Sequence, residues 1–211
     1  MDDDHSPMSA EESLNLIARQ NSQMRRELGG GPARMLAGWA LAWLLGWGLT
    51  YFAVVDVLPI PGWVAGVIVA VLFVGAIGYT TYVSGRAGRG IRGPSRTVGA
   101  MYGWTWMLSS AGLSVVDIRI TNFGTLTADQ VSLLWSGSWL LLTGALYLAG
   151  GTIWQDKLMF GLGGWMIVSS AASVLVGYPA NFLVLSVGGG GAFLVASIVY
   201  FLRERRGKPV R

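Results

Sequence analysis

The chain has 211 residues, of which 53% are hydrophobic and only 12% charged, and it contains no cysteine. This composition excludes a disordered chain, a disulfide scaffold and a thiolate metal site. The 31 glycines follow no collagen-like period and lie inside apolar stretches, which also excludes a collagen triple helix and a low-complexity linker. The composition therefore indicates an all-α, polytopic membrane protein.

The segment before the membrane, residues 1–34, is expected to be cytoplasmic and to contain one amphipathic helix. Ser9 and Glu12 have the spacing of a capping box, and an apolar stripe follows at Leu14, Ile17, Met24 and Leu28, with Asn21 at the middle place of the stripe. Two interpretations of residues 9–28 stay open. The helix lies on the inner membrane surface, or it docks a partner protein or a second copy of the chain.

Charge-free runs predict six membrane spans between residues 35 and 203. An ionised side chain at the bilayer centre costs about 2.5–3.5 kcal/mol, so spans are bounded by charged residues. The run Leu158–Leu202 is too long for one helix of about 20 residues and fits two, with a turn at Gly177–Asn181. The other four predicted spans are Met35–Val55, Trp63–Ser84, Thr97–Val116 and Gln130–Gly151.

Basic residues predict the orientation of these spans. All of the 15 Lys and Arg residues except Arg119 lie before the first span, in the second loop, at Lys157, or after the last span. Since basic residues close to a span stay on the cytoplasmic side, both termini are predicted to be cytoplasmic, with residues 204–211 as a basic tail.

The second loop carries four arginines among glycines: Arg86, Arg89, Arg92 and Arg96. No Gly-Lys-Ser/Thr follows and no strand precedes the loop, so it is not a P-loop. One interpretation is an orientation signal that contacts anionic lipid headgroups. The other is a specific phosphate or nucleotide site.

The membrane domain lacks the residues that common catalytic chemistries need. No Asp, Glu, Lys, Arg or His lies in the central part of a predicted span, and the one histidine, His5, lies in the N-terminal tail. We therefore predict no catalytic residue, no metal, no cofactor and no enzymatic activity. Proton- and ion-coupled transporters generally need such an intramembrane group, so none of these couplings is predicted.

Small residues and tryptophans supply the remaining candidates. Gly188, Gly189, Gly190 and Gly191 form either a close helix contact or a hinge. Trp106 and Ser110 match Trp165 and Ser169 at a constant offset, which suggests a parallel repeat of three helical hairpins or a coincidence. Trp43 and Trp47 either pack against small residues or line a pocket for an apolar or cationic ligand.

Several segments together resemble a group of small actinobacterial integral membrane proteins, often labelled transporters. They are EESLNLIARQ, GWALAWLLGWG, GRAGRGIRGPSRTVGAMYGWTW, LYLAGGTIWQDKLMFGLGGWM and GGGGAFLVA. The resemblance implies a bacterial plasma membrane location and supplies no substrate or catalytic residues.

Two functions are expected from these observations. The first is a transporter or transporter subunit for a small apolar or amphipathic solute, without its own ATPase. The second is a membrane scaffold or sensor that binds cytoplasmic partners or anionic lipid. The expected partners are the bilayer, anionic headgroups at the cytoplasmic face and a protein or second copy bound through residues 9–28, with no nucleic acid.

Overall fold

The computed structural model describes residues 9, 11, 31–88 and 94–205, and this part of the chain is helical without a strand. The predicted all-α class is therefore confirmed for the described residues. Six long helices follow one another along the chain. They are α1 (Gly31–Val54), α2 (Gly62–Gly88), α3 (Pro94–Thr121), α4 (Ala128–Ile153), α5 (Lys157–Val176) and α6 (Ala180–Arg205), and α6 contains a π-helical segment at Val184–Gly190.

Five of these helices are long and apolar enough to cross a membrane: α1, α2, α4, α5 and α6. This is the pattern of a membrane-embedded protein. The remaining helix, α3, is long enough but less apolar, because it includes Arg96, Asp117 and Arg119 as well as many glycines, serines and threonines.

Local sequence explains where the helices begin and end. Thr127 and Gln130 form a capping box at the start of α4, and Asp156 caps α5 by accepting hydrogen bonds from the next turn. Between α4 and α5, Gln155 has a φ of 54°, a left-handed conformation that few non-glycine residues adopt. Gly177, with a φ of 79°, ends α5 and begins the turn that the sequence predicts.

Helices α1, α4, α5 and α6 surround the core, while α2 packs on α1 and α3 packs on α4. The core includes Leu36, Trp43, Leu140, Met166 and Phe193. The most extensive contact joins α4 to α5, and the contact between α3 and α4 is much smaller. The three hairpins of the predicted repeat thus differ in how closely their helices pack, and the repeat stays a prediction.

Glycines allow the close contact between α4 and α5. A Cβ atom on Gly163 would lie 2.5 Å from the backbone nitrogen of Leu148, and a Cβ on Gly144 would lie 2.8 Å from the carbonyl oxygen of Gly163. One turn from the end of α4, a Cβ on Gly151 would lie 2.5 Å from the nitrogen of Phe160. Glycine lets the two backbones approach at these positions, as small residues do in membrane helix pairs.

Some predicted features lie outside the described residues. They are the amphipathic helix of residues 9–28 except Ser9 and Glu11, the arginines Arg89 and Arg92, and the end of the basic tail at residues 206–211.

Candidate functional site

The π-helical segment Val184–Gly190 lies where α1, α5 and α6 meet. It includes three of the four consecutive glycines, and glycine weakens an α-helix by about 1 kcal/mol per residue relative to alanine. A π-helical turn inside an α-helix is rare and frequently accompanies a functional site. The glycine run therefore coincides with the one irregular stretch within the six described helices.

Two of the four glycines are required by contact with α1. A Cβ on Gly189 would lie 2.5 Å from Cε3 of Trp43, and a Cβ on Gly190 would lie 2.7 Å from the backbone nitrogen of Leu44. A Cβ on Gly191 would meet no atom within 4 Å. The run thus combines close packing on α1 with one glycine that no intramolecular contact requires.

The opposite side of the segment faces α5. The indole Nε1 of Trp165 donates a hydrogen bond of 2.9 Å to the carbonyl oxygen of Gly188, and a Cβ on Gly188 would lie 3.2 Å from Oγ of Ser169. On the side that faces α1, the hydroxyl of Ser186 donates to the carbonyl oxygen of Leu44 at 2.9 Å. The structure thus gathers the predicted residues Trp43, Trp165 and Ser169 around the glycine run.

The remaining tryptophan and serine candidates lie elsewhere. Trp106 is on α3, with its ring 5.8 Å from that of Tyr147, and the carbonyl of Ser110 accepts a hydrogen bond from Ser114 on the same helix. Trp47 stacks on Phe182, near the start of α6, with ring centroids 5.8 Å apart.

Aromatic rings form a continuous layer across the bundle. In order, the rings of Phe73, Trp43, Phe193, Tyr147 and Trp106 lie 5.9, 5.7, 5.7 and 5.8 Å apart between neighbouring centroids. These residues come from α2, α1, α6, α4 and α3 in turn, and such edge and tilted contacts stabilise aromatic pairs. Trp43 is only 5% exposed and lies within this layer.

An open-sided groove of about 480 Å³ separates α5 from α6 on the outside of the bundle. Lys157 lies at one end, and Trp165, two turns along α5, lies toward the other. We call this surface the α5–α6 groove. Its walls are formed by Lys157, Gly161 and Trp165 from α5 and by Val187, Gly191 and Val195 from α6, with Leu162 and Ala196 buried at its base.

A smaller depression of about 270 Å³ adjoins the groove at Lys157. Its lining is more polar and includes Thr152, Gln155 and Asp156 as well as Lys157. We call this surface the polar depression. A long apolar surface and a short polar one therefore meet at a single basic residue.

Asp156 and Tyr200 connect the helices at this end of the groove. The carboxylate of Asp156 is buried, and its Oδ1 accepts hydrogen bonds from the backbone nitrogens of Leu158 and Met159 at 2.9 and 3.1 Å. Its Oδ2 accepts a hydrogen bond from the hydroxyl of Tyr200 on α6. The groove thus lies between this bond and the bond from Trp165 to Gly188.

A buried polar cluster lies near the start of α6. The amide nitrogen of Asn181 donates to the hydroxyls of Ser132 and Ser136 on α4 at 3.0 and 3.2 Å. Four buried polar atoms in the described part of the chain have no hydrogen-bond partner: Oδ1 of Asn181 and Nε1 of Trp43, Trp47 and Trp139. Unpaired polar atoms are costly in a membrane interior.

The arginine candidates are exposed where the structure describes them. Arg86 contacts the hydroxyl of Tyr82 at 3.3 Å in the last turns of α2, and Arg96 lies in the first turn of α3. The described residues contain no group of three His, Cys, Asp or Glu side chains that could hold a metal ion.

Sequence reasoning missed the groove and the contact between Asp156 and Tyr200. One local signal was available, since Asp is a common helix cap and Asp156 lies two residues before the charge-free run that begins at Leu158. The groove itself depends on which helix faces α5, and no local pattern gives that information.

Comparison with protein-family models, with curated proteins and with solved structures finds no match for this chain.

Proposed function

We propose that this chain is a six-span protein of the bacterial plasma membrane that transports a small amphipathic solute, alone or as a transporter subunit. The observation that carries this proposal is the α5–α6 groove. Most of its lining residues are apolar, one basic residue lies at its end, and its wall includes part of a π-helical segment. The sequence has no Gly-Lys-Ser/Thr motif, and in this proposal movement of the solute is facilitative or driven by a partner.

The contacts of α3 support the sixth span. Tyr102 donates to the carbonyl oxygen of Leu146 at 2.7 Å, and at the other end of the pair Nε1 of Trp135 donates to the hydroxyl of Thr121 at 3.2 Å. The stretch from Tyr102 to Thr121 is about 28 Å of helix, close to the thickness of the hydrocarbon core. Since α3 lies antiparallel along α4 over this length, α3 spans the membrane if α4 does.

The π-helical segment supports movement of the groove wall. Val187 and Gly191 belong to the groove, whereas Gly189 and Gly190, between them, hold α6 against α1. A shift of this segment between π-helical and α-helical hydrogen bonding would change the width of the groove without separating α6 from the bundle. The bond from Trp165 to Gly188 then opposes widening of the groove.

The alternative is a scaffold or sensor, and the outward faces of α2 and α3 favour it. On α2, a Cβ on Gly62 or Gly66 would meet no atom within 4 Å, and the same holds for Gly99 and Gly103 on α3. Pairs of small residues four apart suit contact with another membrane helix.

A reconstitution assay separates the two functions. The full chain is placed in vesicles that contain an anionic phospholipid with a nitrobenzoxadiazole group on one acyl chain, and dithionite is added outside. If the probe crosses the membrane, dithionite bleaches nearly all of its fluorescence rather than only the outer half. We expect this result for the wild-type chain and a slower second phase for Gly190→Ala.

Gly75→Ala is the matched control, because Gly75 lies on exposed α2 and its added Cβ would meet no atom within 4 Å. This variant should bleach as the wild type does. Bleaching that stops at the outer half, as in protein-free vesicles, would contradict facilitative transport of such a lipid by this chain alone and favour the scaffold.

A further inference from the structure

We propose that the α5–α6 groove and the polar depression form one binding site for an anionic phospholipid. The phosphate lies at Lys157, the polar headgroup occupies the depression and one acyl chain lies in the groove. This inference rests on the proposed function for the position of the site and names the class of its ligand.

Charge supports an anionic headgroup. Lys157 is exposed and is shared by both surfaces. The neighbouring carboxylate of Asp156 is buried, with both oxygens engaged by the backbone of α5 and by Tyr200. Arg203 lies seven residues after Ala196, so it adds a second cation on the face of α6 that borders the groove. Anionic headgroups are attracted to such basic positions at a membrane surface.

The neutral polar groups suit the headgroup beyond the phosphate. Thr152 and Gln155 lie in the depression beside Lys157, and both are exposed. The hydroxyl of Thr152 donates to the carbonyl oxygen of Leu148, and the amide nitrogen of Gln155 donates to that of Thr152. The side-chain oxygens of Thr152 and Gln155 are therefore left to accept hydrogen bonds from the hydroxyl groups of a glycerol headgroup. A choline headgroup has no hydrogen-bond donor to pair with them, and its positive charge is unfavourable beside Lys157.

Shape supports an acyl chain in the groove. Lys157 and Trp165 are eight positions apart, which corresponds to about 12 Å along α5, enough for a substantial part of an acyl chain. A Cβ on Gly161 or on Gly191 would meet no atom within 4 Å, so packing within the chain does not require either glycine. Glycine at both walls instead keeps the groove open. Trp165, which is 54% exposed, presents its ring near the far end.

Competition between two lipids tests the proposal. The full-length protein, purified in a mild detergent, is incubated with equal amounts of phosphatidylglycerol and phosphatidylcholine that have identical acyl chains, and retained lipid is measured by native mass spectrometry. We expect one phosphatidylglycerol per chain, in preference to phosphatidylcholine. Lys157→Gln should weaken its binding about fivefold, the factor that corresponds to about 1 kcal/mol.

Groove-filling variants test the position of the acyl chain. Gly161→Leu places a branched side chain in the groove and should abolish retention of the lipid, and Gly191→Leu should do so from the opposite wall. The matched control is Gly75→Leu, an equally open glycine on α2, which should retain lipid as the wild type does. Circular dichroism and elution volume establish that each variant is folded.

Three results would overturn the proposal. They are equal retention of the two lipids by the wild type, equal retention by Gly161→Leu and Gly75→Leu, and a Gly161→Leu variant that loses a second protein copy rather than a lipid. Because retention is measured without translocation, failure of the lipid site leaves the bleaching assay to decide transport. A bound lipid that is not moved would contradict transport alone.

Discussion

The hydroxyl of Tyr200 donates a hydrogen bond to Oδ2 of Asp156, and this bond ties α6 to the first turn of α5. The same carboxylate caps α5 through its other oxygen. The buried side chain of Asp156 therefore accepts hydrogen bonds from backbone N–H groups at the start of α5 and also holds α6 in position. This connection lies at the end of the α5–α6 groove where Lys157 is found.

Removing the hydroxyl in Tyr200→Phe should lower the free energy of unfolding by about 1–3 kcal/mol, because a buried carboxylate oxygen loses its donor. Unfolding by a denaturing detergent, followed by circular dichroism, measures the change. Tyr82→Phe is the control, since Tyr82 is exposed and its hydroxyl accepts a hydrogen bond from exposed Arg86 at 3.3 Å. Equal stability of the two variants would mean that the bond to Asp156 contributes nothing measurable.

The neighbouring glycines Gly163 and Gly164 should respond oppositely to alanine. Gly163→Ala forces a Cβ to 2.5 Å from the backbone of Leu148, so we expect a loss of about 1–3 kcal/mol from overpacking. A Cβ on Gly164 meets no atom within 4 Å, and there alanine should be neutral or add up to about 1 kcal/mol through its higher helix propensity. The same unfolding assay compares the two. A larger loss of unfolding free energy for Gly164→Ala than for Gly163→Ala would contradict the close contact of Gly163 with α4.

The helices themselves could be predicted because charged residues are excluded from the hydrocarbon core, so that each span is a charge-free run in the sequence. The predicted span Met35–Val55 corresponds to α1 at Gly31–Val54, and the turn predicted at Gly177 separates α5 from α6. Helix partners depend instead on three-dimensional packing. Gly163 and Gly164 are adjacent and alike in sequence, yet only one of them contacts α4 closely.

The candidate site shows the same limit. Trp106 and Trp165 have similar local sequences, and from sequence alone both were candidates. In the structure Trp106 packs in the aromatic layer, while Trp165 is exposed and bonds to Gly188. Their difference arises from the helix that lies opposite each one. The sequence pattern therefore treats the two tryptophans alike and does not give the surroundings of either.

Within the glycine run, Gly190→Ala and Gly191→Ala should both slow lipid movement but should differ in stability. Gly190→Ala meets the backbone of Leu44 at 2.7 Å and should lose about 1–3 kcal/mol, whereas Gly191→Ala meets no neighbour within 4 Å. Gly191→Ala should keep or raise the unfolding free energy but narrow the groove. Its bleaching rate in the vesicle assay should fall while its fold is intact. A Gly191→Ala variant that is stable and fully active would remove Gly191 from the proposed path.

The role of α3 decides the orientation of everything that follows it. With the predicted cytoplasmic N-terminus and six spans, Asp56, Phe123 and Tyr178 would lie outside the cell, and Arg86, Gln155 and Arg205 would lie inside. If α3 instead lies along the inner surface, Asp56 stays outside and Arg86 stays inside. Phe123 and Tyr178 would then lie inside, and Gln155 and Arg205 would lie outside.

Single cysteines distinguish these cases directly, because the natural chain has none. Each of the six positions is changed to cysteine in turn, and intact cells are treated with a maleimide that cannot cross the membrane. We expect labelling of Asp56→Cys, Phe123→Cys and Tyr178→Cys in intact cells, and labelling of Arg86→Cys, Gln155→Cys and Arg205→Cys only after the cells are opened. Labelling of Gln155→Cys but not Phe123→Cys in intact cells would show that α3 does not cross. Because Lys157 lies two residues after Gln155, that result would also move the proposed headgroup site to the outer face. The orientation predicted from the basic residues would then be wrong, and the site would no longer face the anionic cytoplasmic leaflet.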